Sequence, residues 1–397
     1  MFSKRFQQWR LEDNVFARKV AEKRGLGETL LDLTDSNPSR VGLEWQASAL
    51  ADALSSPKNG FYEPVPQGLR ACREAVSQYY HGHGADVPPG RIHLCASTSE
   101  GYAWTLKLLA DPGDNVLVPA PSYPLLQFLA GMENAVVLPY PLRFANGRWC
   151  VDAGALEAAV TPRTRAIFCV TPNNPTGSVL DADDRAALRA ISRRHGLPLV
   201  VDEVFLDFPA IDGSPSKPLP SWAGEDAVPL LALNGMSKLA LLPQMKLGWL
   251  AVAGPPAWRD EACKRLELIA DTYLSVNTPV QHAAPSFFAG GAARAAALQR
   301  RIHQNETRLR EWCAAAPHRP RLLRREAGWT AMLALPPGLN ESMATLDLLQ
   351  RGGVLVHPGY FYDTPECGPA FWVISLVIPP ETLAAALPRM EETLLRL

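Results

Sequence analysis

Leu230-Leu-Ala-Leu-Asn-Gly-Met-Ser-Lys238 runs from an apolar stretch directly into a serine and a lysine. A short, continuously apolar run closed by Asn-Gly is the pattern of a strand buried on both faces. An open parallel sheet places its ligands just beyond the C-terminal ends of such strands, so an amine there stands where chemistry is done. A lysine in a poorly solvated site near other cations holds its proton less tightly and can attack an aldehyde to form an imine. Taken alone, Lys238 is better read as an ordinary loop lysine; its surroundings in the chain decide otherwise.

Outward from this segment, short apolar runs alternate with amphipathic stretches from about residue 91 to 255, the pattern of a mostly parallel sheet covered by helices. The expected strands cover 91–95, 115–118, 165–170, 197–201, 230–233 and 247–253. The expected helices cover 100–110, 123–131 and 183–195, the last capped by Asp181. After about residue 290 the pattern changes to a long Ala/Arg-rich helix (292–315), strands at 330–335, 354–357 and 371–378, and a closing helix (381–397). The fold expected is α/β, a large domain with a mostly parallel sheet sandwiched by helices plus a smaller α+β domain. Residues 1–42 form an N-terminal arm packing on the small domain, 43–290 the large domain and 291–397 the small one.

Composition narrows the function classes. With 397 residues the chain can bury a large core, and 39 Lys plus Arg against 40 Asp plus Glu leave a net charge of −1. Nothing in that balance points to nucleic acid or an anionic membrane, so the partner expected is a small molecule. Seven cysteines (Cys72, Cys95, Cys150, Cys169, Cys263, Cys313 and Cys367) show no CxxC spacing for zinc or a redox pair, and are read as thiols, mostly buried, in a reducing cytosol. The N-terminal MFSKRFQQWRLED has no apolar core of a signal peptide, and no stretch has the length of a membrane span. The expectation is a soluble, cytoplasmic protein that needs no metal.

Four further segments bear on Lys238. Val200-Val-Asp202-Glu203 sets a carboxylate at a strand end, 36 positions before the lysine. Pyridoxal 5'-phosphate needs such a group, because an aspartate beside the pyridine nitrogen keeps the ring protonated as an electron sink. Strand-end aspartates also bind metals or cap helices. In Thr171-Pro-Asn-Asn174-Pro-Thr-Gly177, Asn174 can donate to the cofactor's phenolic oxygen from a turn set by Pro175 and Gly177, although Asn-Pro is by itself simply a turn. Ser97-Thr98-Ser99-Glu100-Gly101 opens a helix with hydroxyls and free N–H groups, a cradle for phosphate or just a capped terminus. Pro121-Ser122-Tyr123-Pro124 offers a ring to stack on a flat pyridine, or an aromatic packed in a turn.

In this order, with Phe61-Tyr62-Glu-Pro-Val-Pro-Gln-Gly68-Leu-Arg70 upstream and Pro358-Gly359 downstream, the motifs resemble the class I/II aminotransferases of the aspartate aminotransferase fold, over nearly the whole chain. The resemblance implies pyridoxal 5'-phosphate as a Schiff base on Lys238, which then shuttles the proton between the substrate carbon and the cofactor. It implies Asp202 at the pyridinium, Asn174 at the phenolic oxygen, Tyr123 at the ring face, and Thr98, Ser99 and Ser237 at the phosphate. Tyr62 matches a tyrosine that reaches the neighbouring subunit's phosphate, which implies a homodimer with shared active sites.

Three positions depart from the family. Lys246 stands where a phosphate-binding arginine is usual, and supplies a point charge rather than a bidentate fork. Phe205 replaces a tyrosine that donates to the phenolic oxygen, which predicts a higher imine pKa with Asn174 as the remaining donor. Val373, in Phe371-Trp-Val373-Ile-Ser375, aligns with the arginine that grips the substrate α-carboxylate, and an apolar side chain cannot replace a guanidinium. Either another cation holds the carboxylate or the substrate lacks one. Arg40, with Asn37, in the arm segment Asp35-Ser-Asn37-Pro-Ser-Arg40 is the candidate substitute, and His357 is a weaker candidate for the same pocket. The expected function is transfer of an amino group between a small-molecule donor and a carbonyl acceptor. A decarboxylase or β-lyase of the same fold stays open, since the Asp-Glu-x-Phe segment also looks like that of threonine-phosphate decarboxylases. A catalytically retired regulatory protein is disfavoured by the presence of Lys238, Asp202 and Asn174.

Overall fold

The computed structural model describes residues 2–6, 9, 12–211, 217–364 and 368–397. An eight-stranded sheet forms its centre. Across it the strands lie in the order Ile92–Cys95, Gly248–Ala253, Leu230–Gly235, Leu199–Asp202, Thr164–Val170, Asn115–Ala120, Val136–Ala145 and Arg148–Val151. Gly248–Ala253 and Arg148–Val151 run against their neighbours, and the other six strands point one way. The Leu199–Asp202, Leu230–Gly235 and Gly248–Ala253 strands are buried at every residue, which is why they carry no polar alternation. Two apolar clusters flank the sheet, one around Trp104, Phe168 and Leu250 and one around Trp149, Leu188 and Trp249.

A second sheet, antiparallel, orders Arg321–Leu322, Thr330–Ala334, Phe371–Ser375 and His357–Pro358. It packs with the helix Pro380–Arg396 and part of Thr278–Ala314 around a third apolar cluster. Leu31–Asp32 of the arm pairs in parallel with Val354–Leu355.

Several elements differ from the sequence expectation for identifiable reasons. The helix expected from residue 292 begins at Thr278, where the Asn277 side chain accepts from the Val280 amide, so residue 290, expected as a domain edge, lies inside it. Pro285 and Gly290-Gly291 look like breakers in the sequence, yet the glycines serve close packing. A Cβ on Gly290 would collide with the Trp45 ring, and one on Gly291 with Ala240. The Val136–Ala145/Arg148–Val151 hairpin was not expected, although Asn146-Gly147, both at positive φ, is a hairpin signal. Helices at Val15–Gly25, Ala47–Leu54, Arg70–Gly82 and Pro256–Tyr273 were also missed. The expected strand at 354–357 is two short strands on different partners.

Of the cysteines, Cys72, Cys95 and Cys169 are buried and Cys150, Cys263 and Cys313 half-buried, all as free thiols; Cys367 lies outside the described residues. Among the described residues no helix is long and apolar enough to cross a membrane, and no cluster of His, Cys, Asp or Glu could hold a metal ion.

Candidate active site

The six parallel strands bring their C-terminal ends to one rim of the large sheet, and a cavity of about 410 Å³ opens there. Ile92–Cys95 delivers Thr98 and Ser99, Asn115–Ala120 delivers Tyr123, Thr164–Val170 delivers Asn174, Leu199–Asp202 delivers Asp202 and Phe205, and Leu230–Gly235 delivers Ser237 and Lys238. All of these line the cavity, together with Lys246 and His357. Residues far apart in the chain thus converge because each follows the same end of a parallel strand.

Lys238 lies at the cavity floor, where burial lowers its pKa from 10.5 to about 8, against a partial counter-effect of the Asp202 charge. Asp202 is 8% exposed. Its Oδ2 accepts from the Tyr102 hydroxyl at 2.6 Å and its Oδ1 from the Val204 amide at 3.0 Å. Burial nonetheless raises the carboxyl's pKa above its usual value, and those two hydrogen bonds and Lys238 only oppose that effect. A cation set against it would offset the cost of burying the charge.

The turn entering the helix Thr98–Leu109 is held by three hydrogen bonds. Ser97 caps the helix Thr98–Leu109 by accepting from the Glu100 amide. Glu100 in turn accepts from the Ala96 amide at 2.6 Å and the Ser275 hydroxyl at 2.5 Å, which leaves the first N–H groups of the helix for a ligand. Gly248 permits this arrangement, since a Cβ there would come within 3.0 Å of the Ser97 and Thr98 backbone. Lys246 is exposed and left-handed at φ 54°, a strained setting for a side chain that tends to occur at functional sites. The ammonium makes no ion pair among the described residues.

Other expected residues lie elsewhere. Arg40 is exposed, its guanidinium has no partner among the described residues, and it stands outside the cavity. The Asn37 oxygen is spent on the Ser39 amide and hydroxyl, and Thr34 and Ser36 of the same segment line the cavity instead. Tyr62 is 74% exposed and away from the cavity, and Tyr123 is 47% exposed at its edge. Val373 is buried in the apolar cluster, paired in register with Met332 and His357, so its side chain does not reach the cavity wall. His357 Nδ1 lies 3.0 Å from the Tyr362 hydroxyl, and burial lowers its pKa, so the imidazole is held neutral near pH 7.

Sequence reasoning missed Tyr102, Trp329, Thr330 and Tyr362, all in the cavity wall. Tyr102 was within reach, because it sits one helical turn after Thr98 on the same face. Trp329 and Tyr362 come from the second sheet, whose placement no local pattern announces.

These residues fit pyridoxal 5'-phosphate. The buried Asn174 Oδ1 has no hydrogen-bond partner, so that amide is uncommitted on the cavity side, and an amide can turn either end to a ligand. The Lys238 charge only partly offsets the burial of Asp202, the first turn of the helix Thr98–Leu109 has N–H groups without a partner among the described residues, and Lys246 offers a positive charge to a phosphate.

The family model for aminotransferase class I and II matches residues 28–388. A glutamate-pyruvate aminotransferase of Escherichia coli is 28% identical over 275 residues, or 69% of this chain and 66% of that protein. An alanine aminotransferase of Mycobacterium tuberculosis is 30% identical over 264 residues, 65% of this chain and 59% of that protein. The alignments therefore span no more than about two thirds of those relatives. The structure of an alanine aminotransferase from Pyrococcus furiosus superposes with a TM-score of 0.88 at 23% identity, covering 100% of both chains, which shows the shared fold.

Proposed function

The chain belongs to the class I and II aminotransferase family, and from that premise we propose that it moves an amino group from a small-molecule donor to a carbonyl acceptor, with Lys238 as the reacting amine. The observation that carries this reading is the Lys238 amine at the cavity floor, with a pKa lowered to about 8 and Asp202 as its facing carboxylate. When bound, pyridoxal 5'-phosphate supplies an aldehyde that captures amines and a protonated ring that takes up an electron pair from the adjacent carbon.

The chain's own residues have separable tasks in this reading. Lys238 Nζ, close to half unprotonated not far above neutral pH, takes a proton from the substrate carbon and returns it across the site. Asp202, fixed by Tyr102 and the Val204 amide, holds the ring nitrogen's proton by remaining charged. Asn174 donates to the phenolic oxygen. Thr98, Ser99, Ser237 and Lys246 take the phosphate, and Tyr123 covers the ring. With Val373 committed to the core, Arg40 is the cation that meets the substrate carboxylate, carried with Asn37 on the arm whose Thr34 and Ser36 line the cavity beside His357. Tyr62, beside the exposed Phe61, reaches the site of a second copy, so the working unit is a homodimer. Residues 1–42, 43–290 and 291–397 are its arm, large and small domains.

Two measurements test the reading. Borohydride treatment of the cofactor-loaded chain followed by peptide mass analysis is expected to find a pyridoxyl adduct on Lys238, and an unmodified lysine overturns it. A single turnover with an amino donor, without acceptor, is expected to release one equivalent of carbonyl product per cofactor. Phe205 and the lack of an arginine at Val373 favour one second reading, and release of carbon dioxide or of a β-substituent instead would assign a decarboxylase or β-lyase.

A further inference from the structure

Beneath Lys238 lies an arrangement that none of these assignments uses. Its Nζ is 4.8 Å from the centroid of the Trp329 ring and 5.9 Å from that of Phe205. The two rings lock each other edge to face, 5.0 Å apart at 76°, and Phe208 packs on Trp329 at 5.1 Å. Trp329 is 1% exposed and Phe205 5%, so neither ring has room to swing away.

The backbone around Trp329 is also pinned. Its carbonyl accepts from the Leu376 amide at 2.7 Å, the preceding Gly328 amide donates to Phe208 at 2.8 Å, and the following Thr330 hydroxyl donates to the Pro175 carbonyl at 3.1 Å. The ring therefore comes from the residue that enters an inner strand of the second sheet, Thr330–Ala334, yet is tied to the turn that carries Asn174. Phe205 arrives independently, from the end of the strand Leu199–Asp202.

A cation within about 6 Å of a ring face is attracted by the ring's quadrupole, most strongly by tryptophan, and more so where water is scarce. The Lys238 nitrogen alternates between charged and neutral forms, and only the charged form gains from the rings. The titratable groups that share the cavity with it are Asp202, Tyr102, Tyr123, Lys246, His357 and Tyr362. Asp202 is the one carboxylate among them.

We propose that Trp329 is a positioning residue: its indole face, with Phe205 beside it, holds the Lys238 ε-ammonium at the cavity floor whenever that nitrogen carries no covalent partner. The contact keeps the free amine aimed into the site instead of letting its flexible stem search the cavity. The proposal rests on the reading of Lys238 as the reacting amine.

The test uses the full chain without cofactor. Acetylation of Lys238 by acetic anhydride, followed by peptide mass spectrometry across a pH series, gives the midpoint of the amine's titration. Loss of the ring face in Trp329→Leu is expected to lower that midpoint by about half to one pH unit, and Trp329→Phe by less. Were the indole mere filling, the smaller side chain would admit water and the midpoint would rise toward that of a solvated lysine. A rise, or no change, in Trp329→Leu overturns the proposal. Near-ultraviolet circular dichroism checks that each variant is folded. If Trp329→Leu does not fold, Trp329→Phe decides, and an unshifted midpoint there overturns the proposal. Failure of the borohydride adduct in the unaltered chain would instead remove the premise, and the acetylation series would still report the ring contact.

Discussion

The floor and the mouth of the cavity are built on different terms. At the floor, Lys238, Asp202 and Asn174 follow strands of the large sheet, and Tyr102, Val204 and the two aromatic rings hold Asp202 and Lys238 from below. At the mouth, Arg40 and Tyr62 are exposed and outside the wall, Tyr123 is half exposed, and Lys246 has no counter-charge among the described residues. A rigid sheet can pre-position groups that act on one invariant cofactor, because its geometry is settled by the core. The groups proposed to meet a variable substrate, or a second copy, sit on arms and loops.

The comparison breaks most sharply at Lys238. Lys238→Ala is expected to slow the single-turnover release of carbonyl product by on the order of ten-thousandfold or more, since it removes both the amine and the proton carrier. A loss under tenfold in a stopped-flow assay would mean that the floor is not where the chemistry occurs.

Burial next to the floor also has a cost that pH exposes. Glu203 follows Asp202, fully buried, accepting from the Ser221 hydroxyl and the Trp222 amide, and burial raises its pKa from 4.5 to about 7. Between those values the unfolded chain has lost the proton while the folded chain keeps it. Stability therefore falls as pH rises through that window, by on the order of 3 kcal/mol, and does not recover above it. Glu203→Gln is expected to flatten this slope in urea unfolding at pH 5 and pH 7.5, and an unchanged slope would place the cost elsewhere.

The mouth makes a smaller claim. Arg40→Ala is expected to raise KM for carboxylate-bearing donors about tenfold with kcat within about twofold, the mark of lost substrate binding. If every such donor turns over as before, Arg40 is not the substitute for the missing arginine. Smallest of all is Phe205→Tyr, which on the proposed cofactor placement would add a donor to the phenolic oxygen. The spectral titration midpoint of the cofactor-loaded chain is expected to fall by about half to one pH unit, and a midpoint that does not fall would show that Phe205 is not what sets it.

The difference in legibility follows the same division. Lys238, Asp202, Asn174 and the Thr98-Ser99 turn were readable because each is a local event, an apolar run ending in a polar turn, repeated along the chain at parallel-strand spacing. Tyr102 was readable in principle from helical periodicity. Trp329 and Tyr362 were not, since their relation to Lys238 depends on how the second sheet docks on the first. The long helix misled for a related reason. Gly290 and Gly291 look like a break, but Trp45 and Ala240, more than 40 positions away, fill the space that side chains there would occupy.

By itself the sequence determined an α/β sheet with a lysine, an aspartate and an asparagine at its strand ends, because short-range patterning dictates which runs become buried strands and which turns follow them. Tertiary structure alone decided that Val373 turns into the core, that Arg40 stands clear of the cavity, and that two aromatic rings lie under the lysine. Those outcomes depend on how segments distant in the chain pack on one another, and packing is a property of surfaces that meet only in the folded chain.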